Sequence, residues 1–319
     1  MDNLINKIKR QNKLDIIRSQ IFSRYYININ YDINNTILIS GTARSGTTFI
    51  SDLINYKNEY RLIFEPFNPQ KVKICNNFKI KQYIRPNCKD TKYFEPTKLI
   101  LSGRIRNYWI DHQNKLFVSD KRIVKDIRTN LMLKWISNNF SNMPIILIIR
   151  HPCAVAHSKI KMGWKAHLEQ ILYQQNLIND YLSEYLDGIK SIKSNFEQHI
   201  LIWCIENCIP LKQFKKDEIF IVFYEELCLN PKNEIDLLFK YINKKYDIDI
   251  FKKMKKPSTM SQDNTVIDGE NLINKWKKNI SKEQIKKALE ILNLFNLDKI
   301  YLEDTMPIVE SKKNLFNMY

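Results

Sequence analysis

The sequence predicts an α/β fold in which a central parallel sheet is flanked by helices on both faces, and three observations carry that expectation. Five short aliphatic runs recur along the chain, each is followed by a loop and usually by a helical pattern, and the first run stops at a glycine-bearing loop. Strands that alternate with helices imply a parallel sheet covered on both sides.

The elements follow in order. Residues 1–30 read as a basic amphipathic lead-in, and Thr36-Ile37-Leu38-Ile39, stopped by Gly41, reads as the first core strand. Further strands are expected at 61–64, 122–125, 145–149 and 219–223. Helical patterns cover 47–56, 130–139, 154–161, 168–186, 194–207, 234–245 and 282–293, the last opened by Ser281 as N-cap. Residues 68–121 mix Pro, Asn, Cys and Lys with weak periodicity and read as an insertion beside the sheet. The expected organisation is therefore a lead-in over 1–30, one α/β domain over 31–305 carrying that insertion, and a tail over 306–319. Sheets of this kind bind ligands at the carboxyl ends of their strands, so the loops after the first four strands are the places to look for chemistry.

Composition narrows the function classes. A formal net charge of +17 favours an anionic partner such as nucleic acid, a membrane surface, an acidic glycan or a phosphorylated cofactor. The blander reading is a general over-use of Lys, Asn and Ile, with runs such as Lys252-Lys253 and Lys255-Lys256 on solvated faces. A nucleic-acid-binding protein is one alternative, but no dedicated reader motif is present and no specific nucleic-acid partner is expected. The six cysteines have no C-x-x-C pairing, and Cys204 and Cys208 read as packing residues on one helix face. His151, His157, His167 and His199 fit no metal-ligand pattern, and no metal is expected. The N-terminal stretch lacks the apolar core of a signal peptide, and no apolar run approaches the ~18 residues of a membrane span, so the expectation is a cytoplasmic protein without a membrane span.

The loop Gly41-Thr42-Ala43-Arg44-Ser45-Gly46-Thr47-Thr48 leaves the first strand and opens a helix, a setting in which backbone N–H groups cradle a phosphate. Its glycines have the spacing of a nucleotide-triphosphate loop, but Thr47 stands where that loop needs Lys. A P-loop kinase or nucleotidase is therefore the enzymatic alternative, opposed by the missing Lys. Arg44 places a cation within the loop, and Thr47 and Thr48 offer hydroxyls. After the fourth strand, Arg150 is followed eight residues later by Ser158, a guanidinium and a hydroxyl apt for a phosphate monoester.

With both motifs in place, the chain resembles the PAPS-dependent sulfotransferases, whose sulfo donor is 3′-phosphoadenosine-5′-phosphosulfate. The run Ser40 to Phe49 resembles the family's 5′-phosphosulfate loop, and Arg150 to Ser158 its 3′-phosphate motif R-x-P-x-x-x-x-x-S. Phe64-Glu65-Pro66, Val124-Lys125-Asp126, Tyr224-Glu225-Glu226-Leu227, Pro257-Ser258-Thr259 and Lys275-Trp276-Lys277 extend the likeness over about 36–301. The resemblance implies a P-loop-like nucleotide-binding architecture, PAPS as co-substrate and 3′,5′-adenosine bisphosphate (PAP) as product. It implies nucleotide contacts from Arg44, Ser45, Gly46, Thr47, Thr48, Arg150, Ser158, Tyr224, Thr259 and Lys275, and catalytic roles for Glu65, Arg44, Lys125 and Ser258. The F-E-P tripeptide is similar to that of carbohydrate and tyrosyl-protein sulfotransferases, and a glycan or glycoconjugate is the expected acceptor. Two departures stand out: Ile127 occupies the position of the small-molecule group's catalytic His, and the R-K-G motif is missing near residue 269. The first moves the base to Glu65, with Asp126 in reserve. Other readings stay open: Glu65 as a loop residue capping backbone donors, Lys125 as a surface lysine, Phe49 and Tyr224 as core aromatics, Trp276 as packing, and the whole chain as a nucleotide binder without turnover.

Overall fold

The computed structural model describes residues 25–254, 269–308 and 315–316, together with 17 and 21. Its strands are β1 (Ile27–Asn28), β2 (Thr36–Gly41), β3 (Arg61–Phe64), β4 (Val118–Ser119), β5 (Arg122–Asp126), β6 (Ile145–Ile149) and β7 (Phe220–Phe223). A five-stranded sheet of order β3-β5-β2-β6-β7 has every pairing parallel, as expected, and β1 and β4 form a small parallel pair beside it. From β2 the chain builds outward in one direction to β5 and β3 and in the other to β6 and β7, so the order reverses at β2 and leaves a crevice at its carboxyl end.

Alternation along the strands divides the core into two layers. Leu38, Val124, Leu147 and Ile149 pack against Ile200, Trp203 and Cys204 of the helix Asn195–Gln213. Ile37, Ile39, Ile123, Ile146 and Ile148 face the other way, onto Phe49 and Leu53 of the helix Thr47–Ile54 and Ile235 and Leu238 of the helix Pro231–Tyr241. Each buried aliphatic side chain contributes about 1.5–3 kcal/mol of transfer free energy. Cys204 and Cys208 are buried in the first layer and form no disulfide, the packing role read from their spacing.

Most helices form where periodicity places them, and Ser281 completes a capping box with Gln284. The stretch 168–186 differs: it breaks into the short turns Glu169–Leu172 and Gln175–Leu177, a π turn Ile178–Leu182 and a 3₁₀ turn Ser183–Tyr185. The cause is tertiary, because Gln174 leaves the helical path to accept from Tyr83 N at 2.8 Å and donate to Lys81 O at 3.0 Å. The region 68–121 is also more ordered than weak periodicity implies. It holds the helix Thr91–Leu101, capped by Asp90, and the short helix Tyr108–Asp111. Buried Arg61, at the start of β3, binds Asp111 at 2.9 Å and the carbonyls of Gly103 and Ile105, fastening this region to the sheet. Among the described residues no helix is long and apolar enough to cross a membrane.

Candidate active site at the carboxyl edge of the sheet

Strand register assembles the site. Gly41 pairs with Ile148, Ser40 with Asp126 and Phe64 with Lys125, so the loops after β3, β5, β2 and β6 leave the sheet side by side. The loop after β2 needs both of its glycines. A Cβ at Gly41 would lie 2.6 Å from the Ile148 carbonyl oxygen, and one at Gly46, where φ is +103°, would lie 2.5 Å from Cδ2 of Tyr224. Ser45 Oγ donates to Thr42 O at 2.6 Å and turns the loop, and Thr47 then begins the helix with no side chain capping its first N–H groups.

Two guanidinium groups converge over this loop. Arg44, itself in the left-handed region at φ 76°, donates from Nε to Ser158 Oγ at 3.0 Å. Arg150 donates from Nη1 to Arg44 O at 3.2 Å and lies 4.3 Å above the ring of Tyr224. Neither arginine has a carboxylate partner among the described residues, and the buried Nε of Arg150 has no acceptor. Burial lowers the pKa of Arg44, and the charge of Arg150 lowers it further. Two guanidinium groups gathered without an ion-paired carboxylate among the described residues, one with an orphaned donor, suit an anion with several oxygens. Thus Arg44, Ser45, Gly46, Thr47, Arg150, Ser158 and Tyr224 come together as the two motifs imply. Thr48, half-buried on the first helical turn, lies next to them, and Phe49 packs edge-on to Tyr224 in the core.

The other half of the site centres on Glu65, whose φ of 44° swings its side chain out of the strand direction. Its carbonyl accepts from Trp109 Nε1 at 3.1 Å, and its N–H donates to Lys125 O at 2.7 Å. Lys125 Nζ lies 2.7 Å from Oε1 and Arg128 Nη1 lies 2.9 Å from Oε2. Burial alone would raise the Glu65 pKa, but these two cations outweigh it and hold the carboxyl below its ordinary value. Lys125 is itself buried, 4.4 Å over the Phe64 ring, and is no surface lysine. Asp126 is wholly buried and accepts from Phe67 N at 2.8 Å and Arg128 N at 2.7 Å, which engages both of its oxygens with the backbone. Burial pushes its pKa up to about 6, an effect Arg128 opposes. Arg128 and Trp109 were not singled out from the sequence. Arg128 stands two residues past Asp126 in the loop that follows β5, a position that could have marked it, whereas Trp109 lies in the weakly periodic region and carries no signal.

The corner holding Arg150 is braced from behind. His151 stacks on Trp276 with centroids 4.3 Å apart, faces Leu302 O through Nε2, and donates its backbone N–H to Glu225, whose other oxygen accepts from Tyr301. Trp276 is therefore packing behind the Arg150 corner, and Lys275 begins the same 3₁₀ turn. Ser258 and Thr259 lie outside the described residues. Burial pushes the His151 imidazole down to about 3, with Lys277 and Arg150 adding to the effect. A base whose folded pKa lies below its unfolded value of about 6.5 contributes stability that is complete above that pH and is lost as pH falls toward the folded value, at about 1.4 kcal/mol per pH unit. The thermal midpoint should fall steadily from pH 6.5 to 4.5. A His151→Phe variant should start lower and fall less steeply, and identical slopes would rule out His151 as the source.

Several solved structures have a similar course of chain. A sulfotransferase domain from the curacin biosynthetic pathway is 14% identical, covers 82% of this chain and 96% of its own, and has a TM-score of 0.49. The sulfotransferase domain of the Synechococcus PCC 7002 olefin synthase is 12% identical over 85% of this chain and 96% of its own, with a TM-score of 0.45. Mouse sulfotransferase SULT7A1 complexed with PAP is 13% identical over 84% and 86%, with a TM-score of 0.41. No curated protein matches the sequence. The sulfotransferase domain model matches residues 34–293, a span that holds both arginine-bearing loops and the Glu65 centre, and the chain belongs to the sulfotransferase domain family.

Proposed function

We propose that the chain moves a sulfo group from PAPS to a hydroxyl of a carbohydrate acceptor, with Glu65 as general base. The observation that carries this reading is the pair of guanidinium groups, Arg44 and Arg150, that converge without a carboxylate partner among the described residues on a glycine loop and Ser158. When bound, PAPS supplies the sulfonate, and the electron pair of the broken S–O bond stays with its phosphate. Arg150 and Ser158 hold the 3′-phosphate, Tyr224 lines the adenine side, and the N–H groups of Ser45 to Thr48 take the 5′-phosphate. Thr259 and Lys275 add nucleotide contacts, and Ser258 assists at the reacting end.

In-line transfer to an oxygen depends on positioning and charge neutralisation. Arg44 and Lys125 offset the negative charge that builds on the departing bridging oxygen. Glu65 takes the acceptor's hydroxyl proton at a carboxylate oxygen. A carboxylate offers about four lone-pair directions, so the bonds from Lys125 and Arg128 leave room for that proton. Both cations keep Glu65 ionised at neutral pH, which makes it a ready but weak base, and the proton moves late, as the new S–O bond forms. Incubation with radiolabelled PAPS and a glycan panel should yield labelled saccharide and equimolar PAP, without ATP hydrolysis. Hydrolysis of ATP with no transfer from PAPS would return the kinase reading.

A further inference from the structure

The small ribbon of β1 and β4 turns an apolar face to solvent. Successive residues of a strand point to opposite faces. Along β1 the inward residues are Tyr26, whose ring lies 4.8 Å from the Arg61 guanidinium, and Asn28, which donates to Ser102 O at 3.2 Å. The outward ones are Tyr25, Ile27 and Ile29, each more than half exposed. Ile27 pairs in register with Val118 of β4, which is exposed beside it, as is Leu116. Two short stretches, 17–31 and 116–118, supply half of the large apolar side chains that are exposed among the described residues. Single exposed apolar side chains are ordinary, whereas such a concentration marks a contact surface.

Charge indicates what covers it. The sequence that leads into the ribbon is basic, with Lys7, Lys9, Arg10, Lys13, Arg18 and Arg24 against Asp2 and Asp15. Arg104, 4.3 Å from the ring of Tyr31, is exposed near the patch, as are Arg106 and Lys115, against Asp32 and Asp120. A second copy of the chain would bring the same basic excess, on a molecule of net charge +17, and would be repelled. An anionic bilayer offers both complements, negative headgroups and an apolar interior. The ribbon is fastened to the amino end of the sheet, because Arg122, the first residue of β5, donates from Nη1 to Asp32 O at 2.8 Å and from Nη2 to Asn30 O. The patch therefore lies at the edge opposite the glycine loop and Glu65.

We propose that this face lies on an anionic lipid bilayer, with Tyr25, Ile27, Ile29 and Val118 entering the boundary between headgroups and acyl chains and the nearby arginine and lysine side chains meeting the headgroup charge. The chain then rests on the membrane without crossing it, and the carboxyl edge of the sheet stays open to water, from which a nucleotide arrives. Docking of this kind is independent of the transfer chemistry.

The full chain should co-sediment with vesicles of mixed phosphatidylcholine and phosphatidylglycerol, and more weakly with pure phosphatidylcholine or in high salt. The double variant Ile27→Thr, Ile29→Thr keeps the β-branched shape that suits a strand, and the backbone N–H groups of both residues still donate to Phe117 O and Ser119 O. It should therefore melt at the wild-type temperature yet bind the mixed vesicles at least about tenfold more weakly, since less apolar surface enters the bilayer. Val118→Thr, on the other strand, should act in the same direction and keeps the test open if the double variant misfolds. No binding of wild type to the mixed vesicles, or equal binding by wild type and the folded variants, would overturn the proposal. A dimer in light scattering that these substitutions convert to a monomer would overturn it too, and would assign the face to a second copy of the chain.

Discussion

Arg150→Ala should weaken PAP binding by about 100-fold, measured by calorimetry, while the affinity for ATP stays low in both proteins. The size follows from removing charge-assisted bonds to one phosphate, worth about 1.5–3 kcal/mol, where each 1.4 kcal/mol is tenfold. The same change should leave the ligand-free protein as stable as before or slightly more so, because Arg150 and Arg44 repel each other and the buried Nε of Arg150 lacks an acceptor. A structural role predicts the opposite pattern: a fall in the ligand-free melting temperature with PAP affinity changed only in proportion. Equal PAP affinity in variant and wild type would remove the basis for the two-phosphate site.

Glu65→Gln should lower turnover by roughly 10²–10⁴-fold, the range expected for loss of a positioned general base, with PAP affinity nearly unchanged. Stability should fall as well, because Lys125 at 2.7 Å and Arg128 at 2.9 Å lose the charge that they share. Breaking a buried pair on one side costs about 3–5 kcal/mol, an upper bound here because Glu65 keeps some solvent contact. Thermal denaturation therefore has to accompany the kinetics, and turnover is compared at a temperature where both proteins are folded. Full activity in the variant would sink Glu65 as base. Asp126 is a poor replacement, since both of its oxygens already hold backbone N–H groups.

The glycine loop and the Arg150 turn were legible because they are local. A glycine loop between a β-branched run and a helix, and an arginine at a strand end eight residues before a serine, are patterns of adjacent residues, and the backbone rules that require them act over the same short distance. The break in 168–186 was not legible, because Gln174 bonds to Tyr83 and Lys81, residues about ninety positions away, and the helical period of its own segment carries no trace of them. Glu65 shows both sides. Its place after the second strand marked it, whereas its ionisation depends on Lys125 and Arg128, which reach it only through the pairing of Phe64 with Lys125.

By itself, then, the sequence determined the parallel α/β sheet, the order of its strand and loop units and the glycine loop and arginine-bearing turn at its carboxyl edge, because hydrophobic period and glycine conformation are written within a few residues. Tertiary structure alone decided which charges neutralise one another. Coulombic and desolvation energies depend on distance and burial through space, so that Glu65 is held ionised by its neighbours while burial and the charge of Arg150 lower the pKa of Arg44.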